Sequence, residues 1–363
     1  MEFMNVKKFS ECSKDLYDAM KAYSLNYNNE RKGIKAFSEH SKEEMQKLIN
    51  KAFAMEVAKQ SGVSLPMDMS DKTEIRRFAN HPTVKYFANQ IQDVMIDMIL
   101  PETLLTGSLK YIADMKFADL GDSITYDIKS NSLFTVSKAG YRQRTTNQQK
   151  TFRTTVTMTG ENHEITVGTT LFEILTNQAY VAEEVMKVAR SIETKMLFEA
   201  YDAFVSAVGA SPLTVSNYSE KSLINMCEKV TAYNQGRKAV ILGTPVALKA
   251  VLPTNANYRY LLDDEYVKLG HLQTFNGFDV IPMEQVADPY NNTPYSLKLD
   301  DTKIYVVSPA SDKIIKIGVF GGTFSHTDNA YDNANKTIET TTEKAWNTAC
   351  ITNSVAGAIT GIQ

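Results

Sequence analysis

Histidines, cysteines and clustered carboxylates are the side chains from which a catalytic or metal site would be built. The five histidines are His40, His81, His163, His271 and His326, and none stands three or four residues from another histidine or a cysteine. No helix face therefore offers the paired ligands that a zinc site uses. Cys12, Cys227 and Cys350 are few, odd in number and far apart, which suits a reducing compartment better than a disulfide scaffold. His163, beside Glu161 and Glu164, reads as a surface histidine. No G-x-S-x-G elbow presents a nucleophile. Gly318-Val319-Phe320-Gly321-Gly322 is glycine-dense but lacks the lysine and hydroxyl of a phosphate loop, and reads as a turn. Asp263-Asp264-Glu265 and Asp300-Asp301 read as solvated loops rather than cation sites. No catalytic residue, metal or cofactor is expected.

Charge is distributed more informatively. From Ile128 to Gly160 there is no Asp or Glu, while Lys129, Lys138, Arg142, Arg144, Lys150 and Arg153 all fall in or beside that run. Ile124, Tyr126 and Ile128 alternate on one side. Phe152, Thr154, Val156 and Met158 alternate with polar residues on the other, with a polar stretch from Ala139 to Thr151 between. This pattern predicts a long two-stranded arm with a polar tip over 121–168. A ribbon of that length is not stable alone in water, so something must cover it. It either lies on its own domain or is laid on a neighbouring copy. A long helix follows, about Asn177 to Val208, with Val181, Val185, Val188, Ile192, Met196 and Ala203 on one stripe. Its polar side carries Glu183, Glu184, Glu193, Glu199 and Asp202 against Lys187, Arg190 and Lys195. That excess of acid makes Glu183 and Glu184 candidate landing points for a basic arm, although acidic helix faces are usually only solvated.

The rest of the chain must position these two elements. It has 363 residues, 43% hydrophobic and 22% charged, with net charge −3. That is ample for a sizeable core and for about two to three domain-sized units, without the basic excess of a nucleic-acid binder. The longest apolar runs, such as Val94 to Leu100 and Ala345 to Ile351, are too short for a membrane span, and the N-terminus has no signal-type apolar core. Ser41-Lys42-Glu43-Glu44 is a capping box, followed by a helical stripe at Leu48, Ala52, Met55 and Ala58 and a stop at Gly62. A second helix is predicted from about Thr83 to Ile99, on Val84, Phe87, Ile91, Val94 and Met98, with Pro101 just beyond its end. Residues 219–310 read as α/β: a helix to about Asn234, a buried strand at Lys238 to Gly243, a helix opened by Thr244-Pro245 and running to about Leu252, then strands near Phe278 and Ile304. The chain ends in strands, with a polar loop from Ser325 to Lys336, a Thr-rich run through Ile351 that holds Trp346 in the core, and a small-residue tail.

The order of these elements resembles the HK97-type major capsid protein of tailed bacteriophages. The resemblance covers roughly residues 75–363 and implies an α+β fold divided into an N-arm and entry to the peripheral domain (71–120), an E-loop (121–168), a peripheral domain with its spine helix (169–237), an axial domain (238–308) and return strands (309–363), while residues 1–70 read as an N-terminal helical extension without a counterpart in that family. It implies a virion shell protein, assembled in the host bacterial cytoplasm. Copies would form hexamers and pentamers in which Lys129, Lys138, Arg142, Arg144, Lys150 and Arg153 of one copy meet acids such as Glu183 and Glu184 of the next. The partners it implies are further copies, scaffold and portal proteins and a decoration protein, around double-stranded DNA bound without sequence specificity and with no membrane. Two rivals stand beside it. An encapsulin-type nanocompartment would share the fold, and an α/β enzyme would use the strand–turn–helix at Gly243 to Leu252.

Overall fold

In the computed structural model, the described residues are 14–31, 33–34, 37, 41–68, 71–104, 109–131, 133–134, 136–138, 141, 147–209, 211–254, 266, 268–288, 293–309, 312–328 and 338–362. The expected acidic loop at Asp263-Asp264-Glu265, and Arg142 and Arg144 of the arm, lie outside them.

The chain opens with helices α1 (Lys14–Arg31), α2 (Lys42–Ser61), α3 (Lys72–Ala79) and α4 (Pro82–Leu104). The capping box of α2 forms as expected. Ser41 Oγ accepts from the Glu44 amide at 3.3 Å, Glu44 Oε2 accepts from the Ser41 amide at 3.1 Å, and Gly62 closes the helix at φ 68°. The face turned inward is not the expected stripe. Ile49, Phe53 and Val57 are buried, while Leu48 and Met55 are exposed. Two apolar stripes compete on this helix, and polar residues chosen for tertiary partners decide between them. Gln46 donates to Tyr23 Oη at 2.8 Å, and buried Asn50 donates to the Ala179 carbonyl at 3.0 Å and accepts from the Val181 amide at 3.0 Å. In α4, Val84, Ile91, Val94 and Met98 are buried as the periodicity predicts. The helix runs on past Pro101, however, because a proline withholds only its own amide and a packed helix can carry the missing bond.

Next come α5 (Leu109–Ile112), β1 (Ala113–Ala118), β2 (Ile124–Lys129), β3 (Arg153–Met158), β4 (Glu161–Val167), α6 (Leu171–Leu175) and α7 (Val181–Gly209). Then follow β5 (Thr214–Val215), α8 (Glu220–Tyr233), β6 (Val240–Gly243), α9 (Pro245–Leu248), β7 (Thr274–Phe275), β8 (Phe278–Pro282) and β9 (Ile304–Val307). The chain closes with β10 (Ile315–Asp328), β11 (Glu339–Cys350) and β12 (Gly357–Ile359). The helix after Thr244-Pro245 is shorter than expected and ends at Leu248.

The described residues form three sheets. The first has the order β1-β10-β11-β4, the second β5-β12-β9-β6-β8-β7, and the third is the β2-β3 ribbon. Helices α4 and α7 cover one face of the first sheet through Ile315, Ile317, Val319 and Trp346. The second sheet builds its own core with α8 through Leu223, Val230, Ile241 and Ile304. The helical start, ribbon, long helix, α/β unit and return strand thus follow one another in the order the HK97-type resemblance implies.

Two expectations about strands are corrected. The arm's ladder joins only Ile124–Lys129 to Arg153–Met158, and residues 161–167 leave it to pair antiparallel with β11. Alternation alone could not reveal this change of partner, since both pairings use the same period of two. The glycine-dense run is not a turn either. It lies inside β10, where the register against β11 shifts between Phe320 and Phe324 and Gly321 takes φ 64°. The bulge inserts residues without reversing the chain. Ser325 to Asp328, expected in a loop, continue the strand.

Beyond the bulge, β10 meets α4 through polar groups in matched spacing. Asn89, Asp93 and Asp97 stand four residues apart on the helix, and Thr327, Ser325 and Thr323 stand two apart on the strand. Asp97 accepts from the Thr323 amide at 2.9 Å, Asp93 from the Ser325 amide at 3.0 Å, and Asn89 Oδ1 from Thr327 Oγ1 at 3.1 Å. Four helical residues rise about 6 Å and two strand residues about 6.8 Å, so the two ladders stay in step over three rungs. Buried Lys344 of β11 completes the third rung, with Nζ 2.7 Å from Asp97 Oδ1.

Candidate assembly interface

The base of the arm is bound to its own chain. Ile124, Tyr126 and Met158 pack on Phe320 and Ala345 across the outer face of the first sheet. Tyr126 Oη donates to the Ile317 carbonyl at 3.1 Å, and burial pushes its phenol well above the ordinary range. Glycines admit this contact: a Cβ on Gly160 or Gly318 would come within 2.9 Å of the Phe320 ring. Farther out, Asn353 Nδ2 donates to the Lys129 carbonyl, and Asn131 Nδ2 donates to Asn234 Oδ1 at 2.9 Å.

Past Asn131 the anchoring changes. Every described residue from Leu133 to Thr155 is exposed. The outer arm carries more than the polar tip expected over Ala139 to Thr151. It presents Leu133, Phe134, Val136, Tyr141 and Phe152, with Val136 93% and Tyr141 90% exposed. Large apolar side chains grouped on an element outside the core mark a contact surface more often than a solvated loop. The signal was present in the sequence as apolar residues scattered through an acid-free run.

The charged residues fall into different environments. Lys129, Lys138 and Lys150 are exposed. Arg153 is held by Asp127 of the facing strand, and that guanidinium, helped by Thr155, keeps the Asp127 carboxyl below its usual range. On α7, Glu183 pairs with Lys187 at 2.9 Å, one turn along the helix. Glu184 turns inward beside Thr169 into a cavity of about 370 Å³ between α4, α7 and the first sheet, and burial raises its carboxyl above the ordinary value. Glu199 accepts from Trp346 Nε1 at 2.8 Å, and Asp202 pairs with Lys298 at 2.6 Å. The acidic side of α7 is thus used largely within its own chain, which the sequence could not show because the partners lie far along it.

His163, expected at the surface, is half-buried. Its ring stacks on Trp346 with centroids 3.6 Å apart and lies 3.3 Å from Glu199 Oε1. Trp346 itself is buried, as expected. Among the described residues no cluster of three or more metal-ligating side chains occurs, and no helix is long and apolar enough to cross a membrane.

Comparison with known proteins adds the family. No curated protein matches the chain. Among solved structures, a virus-like particle from Pyrococcus furiosus is similar at 10% identity and TM-score 0.41, covering 72% of this chain and 95% of that one. The capsid of the cyanophage P-SCSP1u is similar at 8% identity and TM-score 0.46, covering 70% and 88%. Mycobacterium phage Bobi gives 14% identity and TM-score 0.44, covering 70% and 90%. A family model described as SPbeta prophage-derived putative capsid protein YonB matches residues 14–360. With nearly its whole length under that match, the chain belongs to the YonB family of prophage-derived capsid proteins.

Proposed function

We propose that this capsid protein is the repeating major subunit of an icosahedral bacteriophage shell, in which copies gather as hexamers and pentamers and each lays its arm on a neighbour. Its role is structural rather than enzymatic. The arm corresponds to the E-loop of HK97-type shells, α7 to their spine helix and residues 238–308 to their axial domain. The shell encloses double-stranded DNA without reading its sequence and is built in the bacterial host's cytoplasm, with scaffold and portal proteins as partners and its outer surface available to a decoration protein.

The observation that carries this reading is the exposed apolar arm tip on a chain whose cores lie elsewhere. A head-to-tail contact of arm on neighbour closes into rings when the rotation between copies is a fraction of a circle. Burying one large apolar side chain contributes about 1.5–3 kcal/mol, whereas an exposed ion pair contributes about 0–1 kcal/mol. Leu133, Phe134, Val136, Tyr141 and Phe152 therefore supply the holding force. Lys129, Lys138, Arg142, Arg144 and Lys150 set register against acids of the neighbour, Glu183 and Glu184 among the candidates. Arg153 contributes mainly by bracing the ribbon through Asp127.

Electron microscopy of the full-length chain expressed with a scaffold protein tests the function. Closed shells of uniform diameter are expected. Persistent monomers at every concentration, together with saturable turnover of a small substrate, would be the contrary outcome.

A further inference from the structure

The outer face of the first sheet is only half covered. Its lower part lies under the ribbon. Residues 124, 126 and 129 of the ribbon meet Gly318, Ile317 and Asn353 in turn, so the arm runs along β11 toward its C-terminal end. The upper part lies in the other direction. There the register sets Phe324, Glu343 and Glu164 in one row across β10, β11 and β4. The next row is His326, Thr341 and Thr166, and beyond it Asp328 faces Glu339.

Two features of this half are unusual for a surface left to water. Glu343 and Glu164 are directly opposite across the strands, where like charges repel, and neither has an ion-pair partner among the described residues. Phe324, in the same row, is 59% exposed. No Lys or Arg stands in these rows, and His326 is engaged by Asp328 at 3.0 Å. An apolar side chain beside an unneutralised pair of carboxylates is the complement of an acid-free segment that mixes lysines with apolar side chains. The chain's own arm is such a segment, it is exposed at every described residue from Leu133 to Thr155, and it leads away from this face, whereas the acid-free run 229–262 folds into the core of the second sheet through Ala239, Ile241, Leu248 and Val251.

Building on the arm-on-neighbour reading, we propose that the open half of this sheet is where the arm of a second copy lands. An arm lysine, Lys138 or Lys150, settles between Glu164 and Glu343 and turns their repulsion into attraction, while an apolar tip residue covers Phe324. The acids that receive the arm are then those of the sheet rather than those of α7, most of which are already engaged.

The test uses the full chain with Glu164→Lys and Glu343→Lys together, read by sedimentation and electron microscopy. Closed shells are expected to disappear and to return when Lys138→Glu and Lys150→Glu are added. If both single-sided variants abolish shells and their combination does not restore them, the pairing is wrong. The milder pair Glu164→Gln and Glu343→Gln guards against misfolding. Relief of repulsion should raise the isolated subunit's melting midpoint by about 1–2 °C, while the concentration needed for assembly rises at least tenfold. A role confined to subunit stability would leave that concentration unchanged, and this result overturns the proposal. Removal of residues 138–152 separates the two readings: shells lost there but kept in the glutamate variants refute only the landing site, whereas shells kept in both refute the arm itself.

Discussion

A chain lacking residues 138–152 folds normally and forms no closed particles. The cut leaves the ribbon ladder intact, since Lys129 still faces Arg153 and the contacts of Ile124, Tyr126 and Met158 lie below it. The loop that remains, 130–137, is long enough to close the hairpin, and loop length affects closure only weakly. The described residues removed are exposed, among them Tyr141 and Phe152 with Lys138 and Lys150, and Arg142 and Arg144 leave the sequence with them. If the two aromatic side chains are buried on a neighbour, their loss costs about 3–6 kcal/mol per contact. At about 1.4 kcal/mol per tenfold, the critical concentration for assembly rises by about two to four powers of ten. Circular dichroism and the melting curve of the subunit should hardly change, while sedimentation shows only small species. Closed particles at the wild-type concentration would contradict the role given to the arm.

The second large effect concerns the fold. Asp97→Ala should destabilise the subunit by about 3–5 kcal/mol, because it leaves the Lys344 ammonium buried with no carboxylate. The same change frees the Thr323 amide and hydroxyl, which are bonded to Asp97 beside the bulge. Pairing Asp97→Leu with Lys344→Met removes both charges together and should recover the part of the loss due to the unpaired ammonium, since an apolar pair of similar volume is often as stable as a buried ion pair, while the Thr323 donors stay unsatisfied. Denaturant titration of the three variants measures this. A shift within about 0.5 kcal/mol for Asp97→Ala would mean that water reaches Lys344 and that the third rung does not tie α4 to the sheet.

How much of this was legible in the sequence depends on the range of the interaction that fixed each element. Local signals sufficed for the capping box at Ser41, for α4 and α7, and for the alternation of β2 and β3. The acid-free arm was visible as composition. The inward face of α2 differs from the Leu48–Ala52–Met55–Ala58 stripe because Gln46 and Asn50 face partners at Tyr23 and Ala179, a choice that periodicity cannot express. The glycine run read as a turn because a bulge and a turn use the same residue types. The destination of β4 and the burial of His163 under Trp346 depend on pairing with β11, nearly two hundred residues away. The row formed by Phe324, Glu343 and Glu164 exists only once that register is known. At the interface, the sequence therefore gave away the arm's charge and position, while what it would land on became visible only in the fold.

The most direct measurement is a cryo-electron microscopy map of assembled particles at side-chain resolution. Residues 133–152 of each copy should lie across an adjacent copy, with Leu133, Phe134 and Val136 out of contact with solvent. A map in which that segment folds back onto its own chain, with no neighbouring copy against it, would mean that the arm does not join the subunits.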